Sequence, residues 1–273
     1  MIAKFSARRA RWVLALAFLL LVVPGGSGFG AEPDQPAAAP PAAVLAPTPP
    51  VETCEPCLEF NRLNNRVRDG QIPRREARDE LFRLLPQLRT YYLRNGGQEY
   101  GRDAWVFPLQ GYSAKAIAGG RKHGYQPRGY DYFDGNRHGG HPSLDIFIQD
   151  RDQDERDDRT GQPVPVLSLT GGVVVALAPD WHKGSRLRGG KYLWVYDPTT
   201  DALVYYAHNR ELLVGLGAIV KPGDPIARVG RTGRNAARKR SPTHLHLTYL
   251  KITGGTLVPE NLYPALTHSR TSQ

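Results

Sequence analysis

Five residues in this 273-residue chain have types and spacings suited to chemistry. His244 and His246 flank Leu245 in Ser-Pro-Thr-His-Leu-His-Leu-Thr-Tyr-Leu. On a strand, side chains at i and i+2 share a face, so the two imidazoles point one way and Leu245 and Leu247 the other. About a hundred residues earlier, His141-Pro-Ser-Leu-Asp145 offers an imidazole and a carboxylate at the head of an apolar run. Together with one imidazole of the distant strand, these make an N, N, O donor set. Such a set suits Zn²⁺ and leaves a fourth position open, as hydrolytic zinc sites require. His208 ends Leu203-Val-Tyr-Tyr-Ala-His208 and is a further candidate, while His138 competes with His141 in His-Gly-Gly-His. No Glu follows a histidine in H-E-x-x-H form, which excludes the helical zinc-protease arrangement. His123 and His268 carry no motif, His182 reads as solvent-exposed on a Pro-Asp-Trp-His-Lys-Gly loop that could flank the cleft, and Tyr206 and Trp194 read as core aromatics.

The elements that must hold these residues are short. From about residue 100, β-branched and aromatic runs alternate with Gly, Pro and Asp, which predicts strands at 104–107, 144–148, 164–169, 172–177, 191–196, 203–208, 226–229 and 243–252. Asp197-Pro-Thr-Thr-Asp201 turns 191–208 into a hairpin, and Lys221-Pro-Gly-Asp224 marks another turn. The expected class is mainly β, an antiparallel sheet or sandwich with a small N-terminal helical segment at 54–98 and the β domain at 99–268. In the helical segment, Leu58, Phe60, Leu63 and Val67 form one stripe and Leu81, Leu84, Leu85 and Leu88 a second, with Pro86 expected to kink or shorten the latter helix. Nothing in that segment suggests chemistry.

Residues 1–31 have the form of a secretory signal peptide. Lys4, Arg8, Arg9 and Arg11 precede the apolar run Trp12–Val23, which is short for a membrane span. Residues 32–53 form a Pro/Ala-rich linker. Export fits the two cysteines, Cys54 and Cys57, best read as a local disulfide staple before a helix.

At the histidine motifs the chain resembles the lysostaphin/LytM-type zinc metallopeptidases, over roughly residues 104–265. The resemblance runs through Trp-Val-Phe-Pro-Leu-Gln-Gly, the H-x-x-x-D motif, Gly-Gly-Val-Val-Val, Tyr-Ala-His-Asn, the Val-Lys-Pro-Gly-Asp-Pro-Ile-Ala-Arg-Val-Gly turn and the His-Leu-His strand, in that order. It implies a β catalytic domain of lysostaphin type that holds one Zn²⁺ per chain through His141, Asp145 and His246. It implies catalytic roles for His208 and His244 on the substrate side, and favours His141 over His138 as the first ligand. The implied activity is a metalloendopeptidase acting on peptide stems or cross-links of peptidoglycan, as a monomer in the periplasm, cell wall or outside the cell. The competing reading is a non-catalytic, wall-binding regulator on the same fold. Ser143 stands where the family usually has Gly, and Pro242-Thr243 replace a small flexible residue before the last motif.

The formal charge of +10 falls to +6 without the first thirty-one residues, and favours anionic partners. No recognised nucleic-acid motif accompanies it, so nucleic acid is not an expected partner. Membrane contact is expected only through an uncleaved leader. The densest basic run is 231–240, beside the His-Leu-His strand. The acidic run Asp150–Asp158 resembles a calcium loop but has Glu155 where Gly is needed and Gly161 in place of the bidentate Glu. It is read as a solvated insertion that could wall a groove.

Overall fold

A computed structural model describes residues 53–137 and 139–272. The leader, linker residues 32–52 and His138 lie outside the described residues.

Two helices come first. α1 (Glu55–Arg68) starts at Cys54, whose Sγ accepts the Cys57 backbone N–H; Cys54 and Cys57 form a disulfide. Its inward stripe is Cys57, Phe60, Leu63, Asn64 and Val67. α2 (Arg74–Arg94) runs without interruption through Pro86, contrary to the expected kink or stop. Pro86 lies on the exposed side, while Leu81, Leu84, Leu85, Leu88, Tyr91 and Tyr92 are buried around it. Burying one Leu stabilises by about 1.5–3 kcal/mol, so the stripe outweighs the roughly 3 kcal/mol cost of an internal proline.

The remainder is mainly β and wholly antiparallel within its strands. The strands are β1 (Ser143–Phe147), β2 (Pro165–Leu167), β3 (Gly172–Ala178), β4 (Lys191–Asp197), β5 (Ala202–Leu212), β6 (Ile219–Val220), β7 (Pro225–Val229), β8 (His244–Thr253) and β9 (Thr256–Pro259), followed by the short α3 (Tyr263–Leu266). The main path is β1-β8-β5-β4-β3-β6; β7 pairs with β2 and with the far end of β5, and β9 pairs with β8. Residues 104–107 do not form the expected strand. A 3-10 turn at Arg102–Ala104 leads into a single parallel bridge between Val106 and Arg270, and Trp105 and Phe107 fill the core from this loop. β6 and β9 were not anticipated, being two and four residues long.

Strand alternation divides the core into two layers. On one face Leu144, Ile146, Val174, Val204, Tyr206, Leu245, Leu247 and Tyr249 pack with Trp105, Phe107, Val166 and Ile226. On the other, Val173, Val175, Tyr196, Leu203 and Leu250 pack under Phe60, Leu63, Leu81, Leu84 and Leu88 of the helices. The helical segment therefore shares a core with the sheet. It covers only part of that second face, and the uncovered part carries the histidines. Among the described residues no helix is long and apolar enough to cross a membrane.

Candidate metal centre and groove

β1 and β8 pair so that Asp145 lies directly opposite His246, Phe147 opposite His244, and Ser143 opposite Thr248. All six project from the face opposite Leu144, Ile146, Leu245 and Leu247, which are buried in the other layer. The i, i+2 spacing of the two histidines thus brings both imidazoles to the Asp145 carboxylate. His246 Nδ1 lies 3.0 Å and His244 Nε2 3.8 Å from Asp145 Oδ1. His141 arrives from the loop before β1, anchored by a two-way backbone pairing with Gln126, and its Nε2 lies 3.4 Å from the same oxygen. Ser143 costs the site nothing in unsatisfied polarity, because its buried hydroxyl is 2.6 Å from Thr248 Oγ1.

His208 reaches the same space by a different route. Leu203 and Ala207 face the helix-side layer, and Val204 and Tyr206 the other, so regular alternation would send His208 away from the groove. Its backbone is instead left-handed, with φ of 68°. At this residue β5 stops pairing with β8 (last pair Ala207–His246) and begins pairing with β7 (first pair Asn209–Val229), while its register with β4 shifts. This bulge resets the parity and turns His208 into the groove, 4.9 Å from the His244 ring and 5.3 Å from that of His246. Gly233 is required alongside, since a Cβ there would meet His208 Nδ1 at 2.8 Å and the Arg188 carbonyl at 2.5 Å, at a φ of +112°.

Backbone carbonyls orient three of the rings. His141 Nδ1 donates to Gly124 O (3.0 Å), His208 Nδ1 to Thr232 O (2.8 Å) and His244 Nδ1 to Pro242 O (2.7 Å). With the proton on Nδ1, each of these three Nε2 atoms carries the free lone pair. His246 is the exception and presents Nδ1 to Asp145. Burial opposes ionisation of Asp145, but the adjoining imidazoles of His141 and His246 outweigh it and hold the carboxyl well below the usual carboxylate range. Asp145 in turn pulls His141 upward. Burial, then the neighbouring His246 and His244, push His208 well below its ordinary value, so its ring is neutral near pH 7.

One donor atom each from His141, Asp145 and His246 fall within 4.8 Å of one another. Two donors bound about 2.0–2.1 Å from one tetrahedral zinc would lie roughly 3.3 Å apart. The observed 3.4 and 3.0 Å separations from Asp145 Oδ1 are close to that value. His123 stacks on Tyr263 with ring centroids 3.4 Å apart, and His182 and His268 are exposed; none of the three joins the cluster.

The groove around these residues has a volume of about 350 Å³. Its lining includes features absent from the reading of the sequence. Asn64 and Arg68 of α1 form part of the wall, together with Tyr130, Tyr132, Tyr192, Trp194 and Tyr205. Asn64 Nδ2 donates to Tyr192 Oη (3.1 Å), Tyr132 Oη donates to Asn64 Oδ1 (3.2 Å), and Arg68 Nη1 donates to Tyr192 Oη (3.0 Å). The available signal was Asn64 itself, an amide on the otherwise apolar face of α1. The acidic insertion does not line the groove. The buried Asp150 carboxylate accepts the Thr243 hydroxyl and the N–H groups of Asp154 and Glu155, and Arg231 donates to Thr243 and to the Ser241 carbonyl. The insertion therefore braces the segment whose Pro242 carbonyl orients His244. Asp150, Asp152 and Asp158 are near enough to share a cation, but Asp150 already accepts these three hydrogen bonds and the other two are exposed.

Residues 157–258 match the model of peptidase family M23. The M23 match contains His208, His244 and His246; His141 and Asp145 lie upstream, on the other side of the acidic insertion. A curated relative, a lipoprotein NlpD/LppB homolog from Pseudomonas aeruginosa, is 39% identical over 74 residues, which cover 27% of this chain and 23% of the relative. The chain thus spans less than a quarter of that protein's length. Among solved structures, the catalytic domain of the antimicrobial peptidase lysostaphin from Staphylococcus simulans is 21% identical, with 52% of this chain and 86% of that one covered and a TM-score of 0.34. A putative glycyl-glycine endopeptidase lytM from Ruminococcus gnavus is 19% identical, with 80% and 93% covered and a TM-score of 0.39.

Proposed function

We propose that the groove is the active site of an exported, zinc-dependent endopeptidase that hydrolyses peptide stems or cross-links of bacterial peptidoglycan. The observation that carries this reading is the convergence of His141 Nε2, Asp145 Oδ1 and His246 Nδ1 at zinc-donor spacing, with two further imidazoles beside them. His141, Asp145 and His246 hold the ion. Zinc bound there supplies a Lewis acid for a peptide carbonyl. His208 and His244 act on the substrate side: each keeps Nδ1 tied to a carbonyl and turns a basic Nε2 to the groove. A neutral imidazole so placed takes the proton of the attacking water, and as imidazolium it delivers that proton to the leaving amine. Burial keeps His208 neutral and ready to accept. The M23 match supports a peptidase, and the leader and the Cys54–Cys57 disulfide support an oxidising, extracytoplasmic location.

The test is elemental analysis of the purified chain followed by digestion of purified peptidoglycan. About one zinc per chain and release of new amines are expected, with mass spectrometry of the muropeptides naming the bond. Zinc without amine release would sink the peptidase reading in favour of the wall-binding regulator.

A further inference from the structure

A second cleft, of about 1000 Å³, opens beside the groove and shares Arg68, Asn136 and Arg188 with it. Besides the end of α1, three separate loops line it, and all three bring cations. Arg137 comes from the loop before β1, Lys183, Arg186 and Arg188 from the β3–β4 loop, and Arg234 and Arg238 from the β7–β8 loop. The only acidic side chains among the lining residues are Asp69 and Asp134. Asp69 is taken by Arg68 at 2.6 Å, and Asp134 faces Arg74 at 3.7 Å. Among the described residues, no ion pair engages Arg137, Lys183, Arg186, Arg234 or Arg238, and all five are exposed. The indole N–H of Trp181, also in the lining, is buried without an acceptor.

Like charges converging on one concavity raise its potential and concentrate a counter-ion there. Some arginines elsewhere on this surface pair with local acids, as Arg102 does with Glu260 and Arg228 with Glu211, whereas the cleft gathers several that do not. Among the described residues Arg137, Arg186, Arg234 and Arg238 have no acidic partner, and the guanidinium fork is shaped for a two-oxygen anion. Phosphate and carboxylate both meet this requirement. Continuity with the groove decides between them, because a peptide crossing the zinc ligands would run on past Arg188 into the cleft, and the anions of a peptide are carboxylates.

We propose that this cleft is a binding site for the carboxylate groups of an acidic peptide strand, seating the part of the substrate that extends beyond the bond cut in the groove. The proposal rests on the peptidase reading for what fills the cleft, but its test does not depend on cleavage. Affinity of the full chain is measured by fluorescence anisotropy for a labelled oligoglutamate and for an oligoglutamine of equal length, at low and raised salt. Oligoglutamate should bind at least about tenfold tighter, and salt should erase the difference. Arg186→Glu/Arg234→Glu should weaken oligoglutamate binding about tenfold. Lys221→Glu/Lys251→Glu, an equal change of charge on exposed residues outside the cleft lining, should leave it within about twofold. Equal binding of the two peptides, or equal loss in both double variants, overturns the site. Tighter, reversal-sensitive binding of a phosphodiester oligomer of the same length overturns the carboxylate assignment. Absence of zinc or of amine release would instead bear on the peptidase reading, leaving this binding result intact.

Discussion

The two halves of one sheet face are built by the same alternation and serve opposite ends. Under the helices, Val173, Val175, Tyr196 and Leu203 are sealed by Leu63, Leu81, Leu84 and Leu88. A few ångströms along the same face, the inward positions of β1 and β8 are Ser143, Asp145, His244, His246 and Thr248, and no helix covers them. Covering the second set would strand a carboxylate and several imidazoles away from water and ligand, at a cost of several kcal/mol per ion. Uncovering the first would expose a whole apolar core layer to water. The boundary is a polar seam, in which Asn64 and Arg68 of α1 bond Tyr192 and Tyr132. The helical hairpin therefore does two jobs. It closes the core on one side and forms the groove wall at its edge.

That contrast can be broken from either side. The largest effect is expected from Asp145→Ala, which removes the oxygen shared by all three neighbouring imidazoles; zinc content should fall to background and turnover with it. Retained stoichiometric zinc would show that the ligand set lies elsewhere. His208→Ala should keep the zinc and lower kcat by about 10²–10⁴-fold, measured on the same peptide. Loss of metal in that variant would move His208 among the ligands. On the covered half the signature inverts. Leu84→Ala should cost about 2–5 kcal/mol and lower Tm by roughly 5–15 °C, while zinc per folded chain stays unchanged. The smallest effect belongs to the seam. Asn64→Ala should cost about 1–3 kcal/mol and raise KM more than it lowers kcat, because it loosens the wall without touching a reacting atom. A change in kcat alone would place the seam on the wrong side of the comparison.

Much of the open half is legible from residue order because strand parity is a local rule. His244 and His246 two apart, and Asp145 between Leu144 and Ile146, declare their faces without any tertiary knowledge. His208 breaks the rule. Its orientation depends on β5 exchanging β8 for β7 as partner, a fact about three strands that no single stretch records. The covered half was readable as two amphipathic stripes but not as a groove wall, since the meeting of Asn64 with Tyr192 joins positions 128 residues apart. Pro86 stays within a continuous helix because the apolar surface that helix buries is a tertiary quantity that local propensity does not contain. Residues 104–107 misled because β-branched and aromatic residues fill a core from a loop as readily as from a strand. The acidic run reads from its composition as a solvated insertion that could wall a groove. Its buried Asp150 is committed instead to Thr243 and two backbone amides, partners supplied by folding.

The left-handed backbone of His208 carries a consequence for descent. A side chain held there strains the chain by about 1–3 kcal/mol, a cost that glycine escapes and asparagine reduces. Replacing this histidine with either would therefore return stability as it removed the imidazole. A gene copy released from selection for cleavage would gain fitness in folding by shedding His208 before His244, His246 or Asp145, which sit in regular strands. Non-cutting descendants of such a fold should thus keep much of the donor set and lose the bulge histidine first, remaining sturdy, metal-competent and silent.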